Sequence, residues 1–111
     1  MTQLTLKTGE LERLKEKFPD KVPVFITKSR TSNDSVPELR KQKFLVPAQL
    51  SMSEFLATIR RSLMLRPEQA IFIFIDNILP NSTASMAELH QQHKSPDGVL
   101  RMCYAAENTF G

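Results

Sequence analysis

The chain has 111 residues, of which 41% are hydrophobic and 24% are charged, values that are typical of one globular domain and not of a disordered or fibrous protein. The formal net charge of +3 is too small to indicate a nucleic-acid partner, and no apolar run is long enough for a transmembrane helix. A single cysteine, Cys103, excludes an internal disulfide and is typical of a protein of the reducing cytoplasm.

The first 20 residues predict one short surface helix. Leu11, Leu14 and Phe18 recur at helical spacing among charged residues, and Pro19 ends the pattern. Because a strand farther along the chain is apolar on both faces, we expect this helix to cover the side of the sheet that the other helices leave open.

The middle of the chain predicts most of the sheet and its main helix. Segments 21–28 and 43–47 are rich in strand-forming residues and flank a polar loop, which predicts an antiparallel pair. Residues 51–54 form a capping box, Ser-Met-Ser-Glu, after which apolar residues recur at helical spacing until about Leu65. Segment 71–75 is apolar on both faces and predicts a buried strand. A right-handed crossover through the helix would place this strand parallel to segment 43–47 in one sheet.

The last third of the chain predicts a short helix, a turn and a final strand. Ser85 and Glu88 have the spacing of a second capping box. Residues 95–98, Ser-Pro-Asp-Gly, are typical of a tight turn, and residues 99–104 show the alternation of a strand. A very short returning strand is expected at residues 78–80, after a turn-forming Asp-Asn pair.

This order of elements is typical of an α+β protein with the ubiquitin-like β-grasp fold. We expect residues 1–20 to form an N-terminal helical extension packed on the open face of the sheet. Residues 21–105 are expected to form the β-grasp domain, and residues 106–111 a flexible C-terminal tail.

The chemically reactive side chains do not form a pattern typical of an enzyme. Cys103 lies within a predicted strand, without a helix N-terminus that would activate it, and is expected to be a buried structural thiol. His90 and His93 are three residues apart, but no Cys or further His lies near them in the sequence, so we expect a packed His90, an exposed His93 and no metal site. The glycines form no phosphate-binding loop. The sequence therefore predicts a protein that is not an enzyme and uses no cofactor.

Several segments closely resemble the autophagy ubiquitin-like modifiers, the family that includes GABARAP, the microtubule-associated light-chain proteins and their yeast counterpart. The matching segments lie in order over roughly residues 9–111: KFPDKVPV, KFLVPAQL, AIFIFIDNILP and MAELHQQHKSPDGVL, followed by the terminal pair Phe110-Gly111. The resemblance implies the β-grasp fold with added N-terminal helices, in agreement with the pattern of elements.

The resemblance implies conjugation through the C-terminal glycine, Gly111. In the family, a ubiquitin-activating-type enzyme activates this glycine, a conjugating-type enzyme carries it as a thioester, and it is joined to phosphatidylethanolamine. A cysteine protease exposes the glycine and later removes the lipid. A residue without a side chain suits a terminus that enters narrow active sites. We therefore expect a cytoplasmic protein that becomes attached to autophagosome membranes.

The resemblance also implies docking of aromatic-x-x-aliphatic peptides, carried by cargo receptors and adaptors, on the edge of residues 43–46 by β-augmentation. The aromatic pocket would be formed by Glu10, Leu14, Pro23, Phe25, Lys43, Leu45 and Val99. The aliphatic pocket would be formed by Phe44, Val46, Pro47, Leu50 and Phe55. Basic contacts to acidic residues beside the motif would come from Lys21, Lys41 and Lys43.

Three positions depart from the family pattern. Thr58 would shrink the aliphatic pocket, Ser62 removes a charge that faces the peptide, and Val99 replaces a larger aromatic residue, so we expect an altered peptide preference. Two other functions stay open: a soluble adaptor of the same fold that acts by peptide docking alone, and a modifier that is ligated to proteins. A reactive Gly111 distinguishes the conjugated modifier from the adaptor, and a lysine acceptor would mark the protein modifier.

Overall fold

The computed structural model describes residues 2–3, 13, 16–30 and 36–106. Within them are five strands and two helices: β1 (Thr2–Gln3), β2 (Lys21–Lys28), β3 (Lys43–Pro47), α1 (Met52–Leu63), β4 (Phe72–Phe74), α2 (Met86–His93) and β5 (Leu100–Ala105). Arg13, Glu16 and Lys17 are helical. Phe18, the last residue of the predicted N-terminal helix, is not helical. Residues 4–12, 14 and 15, and the predicted tail from residue 107 onward, lie outside the described residues.

The strands form one sheet in the order β1-β3-β2-β5-β4. β2 pairs antiparallel with β3 and parallel with β5, and β5 pairs antiparallel with β4. It follows that β3 and β4 run in the same direction, as the predicted crossover through α1 requires, although two strands lie between them. The mixed sheet with a helix across one face confirms the predicted α+β class and the ubiquitin-like β-grasp.

One face of the sheet packs against α1 and forms the main core. Alternation along β2 and β5 directs Val24, Ile26 and Leu100 to this face. From α1, Phe55 and Ile59 enter the same cluster and are fully buried. The apolar stripe predicted along the helix is therefore the side that faces the sheet.

Local interactions set both ends of α1. The Oγ atom of Ser51 accepts the N–H of Glu54, and the Glu54 carboxylate accepts the N–H of Ser51, each at 3.2 Å, so the predicted capping box is present. The helix ends at Leu63, earlier than the predicted Leu65. Met64 has a left-handed conformation, with φ 56°, and its N–H bonds back to carbonyls of the last turn, which terminates the helix.

The segment around β4 is less regular than predicted. Of residues 71–75, only Phe72–Phe74 form a strand, because Ile75 already belongs to the next turn. Ile75 and Ile78 exchange two backbone hydrogen bonds at 2.9 and 3.0 Å. Asp76 and Asn77, between them, both have positive φ, as a type I′ turn requires. The predicted returning strand at residues 78–80 is thereby reduced to one isolated bridge.

At the beginning of α2, one of the two hydrogen bonds of the predicted capping box is present, and the turn before β5 follows the predicted pattern. The Oγ atom of Ser85 accepts the N–H of Glu88 at 3.1 Å, which satisfies a free donor of the first helical turn. The N–H of Gly98 donates to the carbonyl of Ser95 at 2.8 Å and closes the turn. Gly98 has φ 86°, a conformation that glycine adopts without steric cost.

Candidate functional site

The sheet face opposite α1 brings together five residues of the predicted aromatic pocket, in two rows. In the first row, Pro23 of β2 pairs with Leu45 of β3. The register between β2 and β5 continues to Val99, just before β5, on the other side of Pro23. All three residues are buried, and Val99 is only 1% exposed. The row therefore places three apolar side chains next to one another across the sheet.

The second row places an aromatic ring between two cations. Phe25 pairs with Lys43 of β3 on one side and with Arg101 of β5 on the other. The guanidinium carbon of Arg101 lies 5.9 Å from the centroid of the Phe25 ring, within the range of a cation–π interaction. Sequence reasoning missed Arg101, although the alternation of the last predicted strand already places it on this face.

Asp97 holds the Arg101 side chain in this position. The guanidinium donates two hydrogen bonds to the Asp97 carboxylate, at 2.9 and 2.8 Å. These bonds hold the pKa of Asp97 below its ordinary value and raise the pKa of Arg101. Both side chains are therefore charged at neutral pH, and the cation beside Phe25 is permanent.

Apart from Pro47, which shares the face of Leu45, the predicted aliphatic pocket lies on the other face of β3, where it merges with the main core. Phe44 meets the ring of Phe55 edge to face, with centroids 6.4 Å apart. Phe55 and Val46 are fully buried, so they are core residues that can contribute only the floor of a pocket. Pro47 and Leu50 are half-buried, and Phe44 retains 8% exposure. Of the predicted set, these last three residues reach the surface.

A cavity of about 520 Å³ opens beside Phe44, between residues 37–41 and residues 62–64. Its volume lies within the range of small-molecule and side-chain binding sites. Arg40 and Lys41 contribute its positive charge. Sequence reasoning identified Lys41 as a basic contact but not the cavity, which depends on a loop and a helix end that are distant in the sequence.

Tyr104 of β5 fixes one wall of this cavity. Its hydroxyl donates to the carbonyl of Pro37 at 2.8 Å and accepts the N–H of Leu39 at 2.9 Å. Burial raises the pKa of the Tyr104 hydroxyl, which keeps it protonated and able to donate. The hydrogen bond to Leu39 joins positions 65 residues apart, and no local sequence pattern could have indicated it.

The remaining predicted contacts lie around these pockets. Lys21 and Lys43 are half-buried, and Lys41 is exposed. The hydroxyls of Thr58 and Ser62 donate to carbonyls of the preceding turn of α1, at 3.0 and 3.1 Å. Both hydroxyls are therefore satisfied by their own helix and are not directed to a ligand.

The outer edge of β3 is not open, contrary to the expectation for residues 43–46. Thr2 pairs with Leu45, and Gln3 pairs with Phe44, in antiparallel orientation. β1 and not β3 is therefore the outermost strand on this side of the sheet. The first residues are too few to show a strand pattern of their own. They become a strand because β3 offers unpaired backbone groups.

The two histidines have hydrogen-bond partners and do not meet each other. The Nε2 atom of His90 lies 2.7 Å from the carbonyl oxygen of Gly98, in agreement with a packed residue. The Nδ1 atom of His93 lies 2.8 Å from the Asp76 carboxylate, and His93 is half-buried and not exposed as predicted. Cys103 is also only half-buried, and desolvation raises the pKa of its thiol.

The described part of the chain has neither a cluster of metal ligands nor a membrane-spanning helix. It contains no group of three or more His, Cys, Asp or Glu side chains placed to hold a metal ion. None of its helices has the length and apolar character needed to cross a membrane. The predicted site residues Glu10, Leu14 and Gly111 lie outside the described residues.

Comparison with known proteins identifies the family. The family model described as "Autophagy protein Atg8 ubiquitin like" matches residues 7–111. The chain belongs to the Atg8 family. It is 43% identical over 108 residues to Autophagy-related protein 8d of Arabidopsis thaliana, and this alignment covers 97% of this chain and 88% of the relative. It is 44% identical over 105 residues to Autophagy-related protein 8 of Candida glabrata, with coverage of 95% and 87%.

A solved structure agrees with this assignment to the Atg8 family. The crystal structure of Trypanosoma brucei ATG8 aligns with a TM-score of 0.79 at 31% sequence identity, over 86% of this chain and 81% of that chain. The chain is therefore an autophagy-related ubiquitin-like protein of the Atg8 family. The family predicted from its sequence segments is confirmed.

Proposed function

We propose that this Atg8-family chain is a ubiquitin-like modifier of autophagy that is conjugated through Gly111 to phosphatidylethanolamine, and that it is not itself an enzyme. The family match, which extends to residue 111, carries this proposal because it includes Gly111, the residue whose conjugation the family resemblance implies. Its partners in this role are activating-type and conjugating-type enzymes and a processing cysteine protease. It is cytoplasmic when free and located on autophagosome membranes when lipidated.

The end of the sheet supports a tail that begins close to residue 106, although Ala106 itself is half-buried and still packs against the core. Ala105, the last residue of β5, is fully buried and pairs with Phe72 of β4. In this proposal, residues 21–105 form the ubiquitin-like domain and residues 1–20 form an extension that precedes it. Residues 106–111 form the tail that presents the terminal carboxyl group to the conjugating enzymes.

Reconstituted conjugation tests the role of Gly111. Wild type, Gly111→Ala and the matched tail variant Asn108→Ala are incubated with the family's activating-type and conjugating-type enzymes, ATP and liposomes that contain phosphatidylethanolamine. The products are identified by mass. We expect a lipid adduct on wild type and on Asn108→Ala, and a much smaller yield on Gly111→Ala, because a side chain at the terminus obstructs transfer.

Each other outcome of this assay favours a different function. A folded wild-type protein that forms neither a thioester nor an adduct would favour the soluble adaptor that only docks peptides. Amide adducts on protein lysines would favour a modifier of proteins. An undiminished lipid adduct on Gly111→Ala would reject Gly111 as the point of attachment.

The geometry around β3 supports a second role, docking of aromatic-x-x-aliphatic peptides of cargo receptors. In an added strand, side chains three positions apart point to opposite faces of the sheet. The two proposed pockets have this arrangement, because Leu45 faces the aromatic set and Phe44 faces the aliphatic set on opposite sides of β3. Lys43 beside Phe25 complements acidic residues next to the aromatic anchor, whereas the charge of Arg101 is already paired with Asp97.

Peptide titration with two matched phenylalanine variants tests this docking site. Phe25 and Phe72 are both half-buried on the sheet face opposite α1, but Phe72 lies in β4, at the other end of the sheet. With a labelled aromatic-x-x-Val peptide flanked by acidic residues, we expect Phe25→Ala to weaken binding by about tenfold or more, as for a central interface residue. Phe72→Ala is expected to change affinity by no more than about twofold, as for a residue outside the interface. Unchanged affinity of Phe25→Ala for the first peptide would remove this face from the docking site.

A second peptide tests the preference of the site. An aromatic-x-x-Leu peptide, titrated in parallel, measures whether Thr58 favours the smaller aliphatic anchor. Affinities for the two peptides identical to those of a typical relative of the family would contradict the altered preference.

A further inference from the structure

The backbone hydrogen bonds between β2 and β3 define which groups of β3 face outward. In an antiparallel pair, residues alternate between those that bond to the neighbouring strand and those that face away from it. The N–H of Ile26 donates to the carbonyl of Gln42, and the N–H of Ala48 donates to the carbonyl of Asp20, both at 2.9 Å. These two bonds lie at the two ends of the β2–β3 pair. They show that Gln42 and Ala48 belong to the residues that bond to β2.

This alternation directs the backbone N–H and C=O groups of Leu45 toward β1. Phe44 and Val46 lie two residues from Gln42 and Ala48, respectively, so their backbone N–H and C=O groups also face β2. The N–H and C=O groups of Lys43 and Leu45 face the outer edge. Thr2 is the residue that pairs with Leu45 in β1. The backbone of Thr2 therefore takes the outward groups at the centre of β3.

We propose that β1 is a built-in competitor for the peptide-docking edge, and that the pairing of Thr2 with Leu45 opens before a peptide strand binds. The proposal rests on the docking role proposed above. A peptide that pairs with residues 43–46 needs the outward N–H and C=O of Leu45, and two strands cannot both bond to them. The occupant is a segment of the same chain, already seated on the edge as an extended strand.

The short length of β1 and its covalent tether set how strongly it competes. Two paired residues contribute few hydrogen bonds, each of small net value, so the pairing is weak in itself. The tether keeps β1 at a high effective concentration beside β3. When paired, β1 protects the edge of β3 from non-specific pairing with other strands. A peptide that also binds through two anchor side chains can displace it.

A substitution at Thr2 tests the competition in the full chain. Thr2→Pro removes the N–H that faces Leu45, whereas the matched control Thr2→Val keeps the N–H and the β-branched shape. A peptide binds only molecules with an open edge, so its apparent Kd is the intrinsic Kd divided by the open fraction. We expect Thr2→Pro to bind the aromatic-x-x-Val peptide about two- to tenfold more tightly than wild type, for an open fraction of about 50 to 10%.

The affinities of the two variants decide whether β1 competes. Thr2→Val is expected to match wild type. Equal affinity of Thr2→Pro and wild type would overturn the competition, and so would a gain in affinity of the same size in Thr2→Val.

Amide hydrogen exchange tests the pairing without any peptide. The N–H of Leu45 faces β1 and is the reporter, whereas the N–H groups of Phe44 and Val46 face β2 and are internal controls. We expect Thr2→Pro to accelerate exchange at Leu45 alone, and unchanged exchange at Leu45 would overturn the pairing. If no variant binds the peptide, the docking role is rejected, while faster exchange at Leu45 still supports β1 as a cover of this edge.

Discussion

At the scale of single residues, the side chain of Tyr104 links parts of the chain that are distant in the sequence. Its ring is fully buried in the main core, and its hydroxyl bonds to both Pro37 and Leu39. The loop that forms one wall of the cavity beside Phe44 is therefore attached to the centre of the sheet. The two hydrogen bonds of this hydroxyl hold the wall together with the side chain of Leu39, which is buried in the main core.

Tyr104→Phe is expected to lower the free energy of unfolding by about 1–3 kcal/mol, because it leaves the N–H of Leu39 and the carbonyl of Pro37 without their partner. Urea denaturation measures the change. Thr83→Val is a matched control, since the Thr83 hydroxyl bonds only to an exposed side chain, that of Asn81. The control is expected to change stability by less than about 0.5 kcal/mol, and an equally small effect of Tyr104→Phe would show that the loop is held by other contacts.

The pH dependence of stability provides a separate test of the buried hydroxyl. Burial raises the pKa of Tyr104 in the folded state, so the stabilising contribution is complete below the unfolded-state pKa of about 10. This contribution is lost as the pH rises from the unfolded-state pKa through the higher folded-state pKa, because in this range the unfolded chain releases the proton before the folded chain does. We expect the stability of wild type to fall more steeply above about pH 10 than that of Tyr104→Phe. Parallel curves for the two proteins would contradict this.

At the scale of elements, the beginnings of the two helices are joined to each other. The N–H of Met52 in α1 donates to the carbonyl of Ala84, and the N–H of Met86 in α2 donates to the carbonyl of Leu50, both at 2.8 Å. In each helix, a backbone N–H of the first turn thus donates to a carbonyl of the segment that precedes the other helix. Side-chain caps at Ser51 and Ser85 satisfy further donors.

Ser51→Ala is expected to destabilise the protein by about 1 kcal/mol, since it removes the N-cap acceptor for the N–H of Glu54. Ser62→Ala makes the same chemical change inside α1, where the hydroxyl bonds only to its own helix. It is expected to be neutral or slightly stabilising, because alanine has the higher helix propensity. Thermal unfolding of both variants measures the difference, and equal effects would show that the cap contributes little.

At the scale of the whole molecule, the central pair of strands comes from segments that are far apart in the chain. β2 and β5 pair parallel from Val24 and Leu100 onward, so the sheet is complete only when distant segments meet. Such non-local pairing closes a long loop before it gains contacts, which slows folding. The same arrangement couples both halves of the chain in one core.

Leu100→Ala is expected to destabilise the protein by about 2–5 kcal/mol, because the residue is fully buried in β5 and its truncation leaves a cavity. Met64→Ala is the matched surface control, since Met64 is 88% exposed, and its effect is expected to stay below about 0.5 kcal/mol. Fluorescence and circular dichroism should report one common unfolding transition for Leu100→Ala. Separate transitions would show that the two halves of the sheet unfold independently.

The sequence by itself determined the bounds of β2 and β3, the capping box at Ser51, the turn at residues 95–98 and the family. These features depend on residues a few positions apart, or on ordered segments whose identity does not require knowledge of contacts. The apolar stripe of α1 also identified the side of the helix that faces the core, because helical spacing fixes which residues share a side.

Only the tertiary structure decided which groups meet across the sheet. Strand alternation assigns a residue to a face but does not specify the neighbouring strand or its register. For this reason the position of Arg101 beside Phe25, the bonds of Tyr104 to residues 37–41 and the pairing of β1 with β3 could not be predicted. The last of these is the least visible in the sequence, because a two-residue strand exists only where another strand offers it unpaired backbone groups.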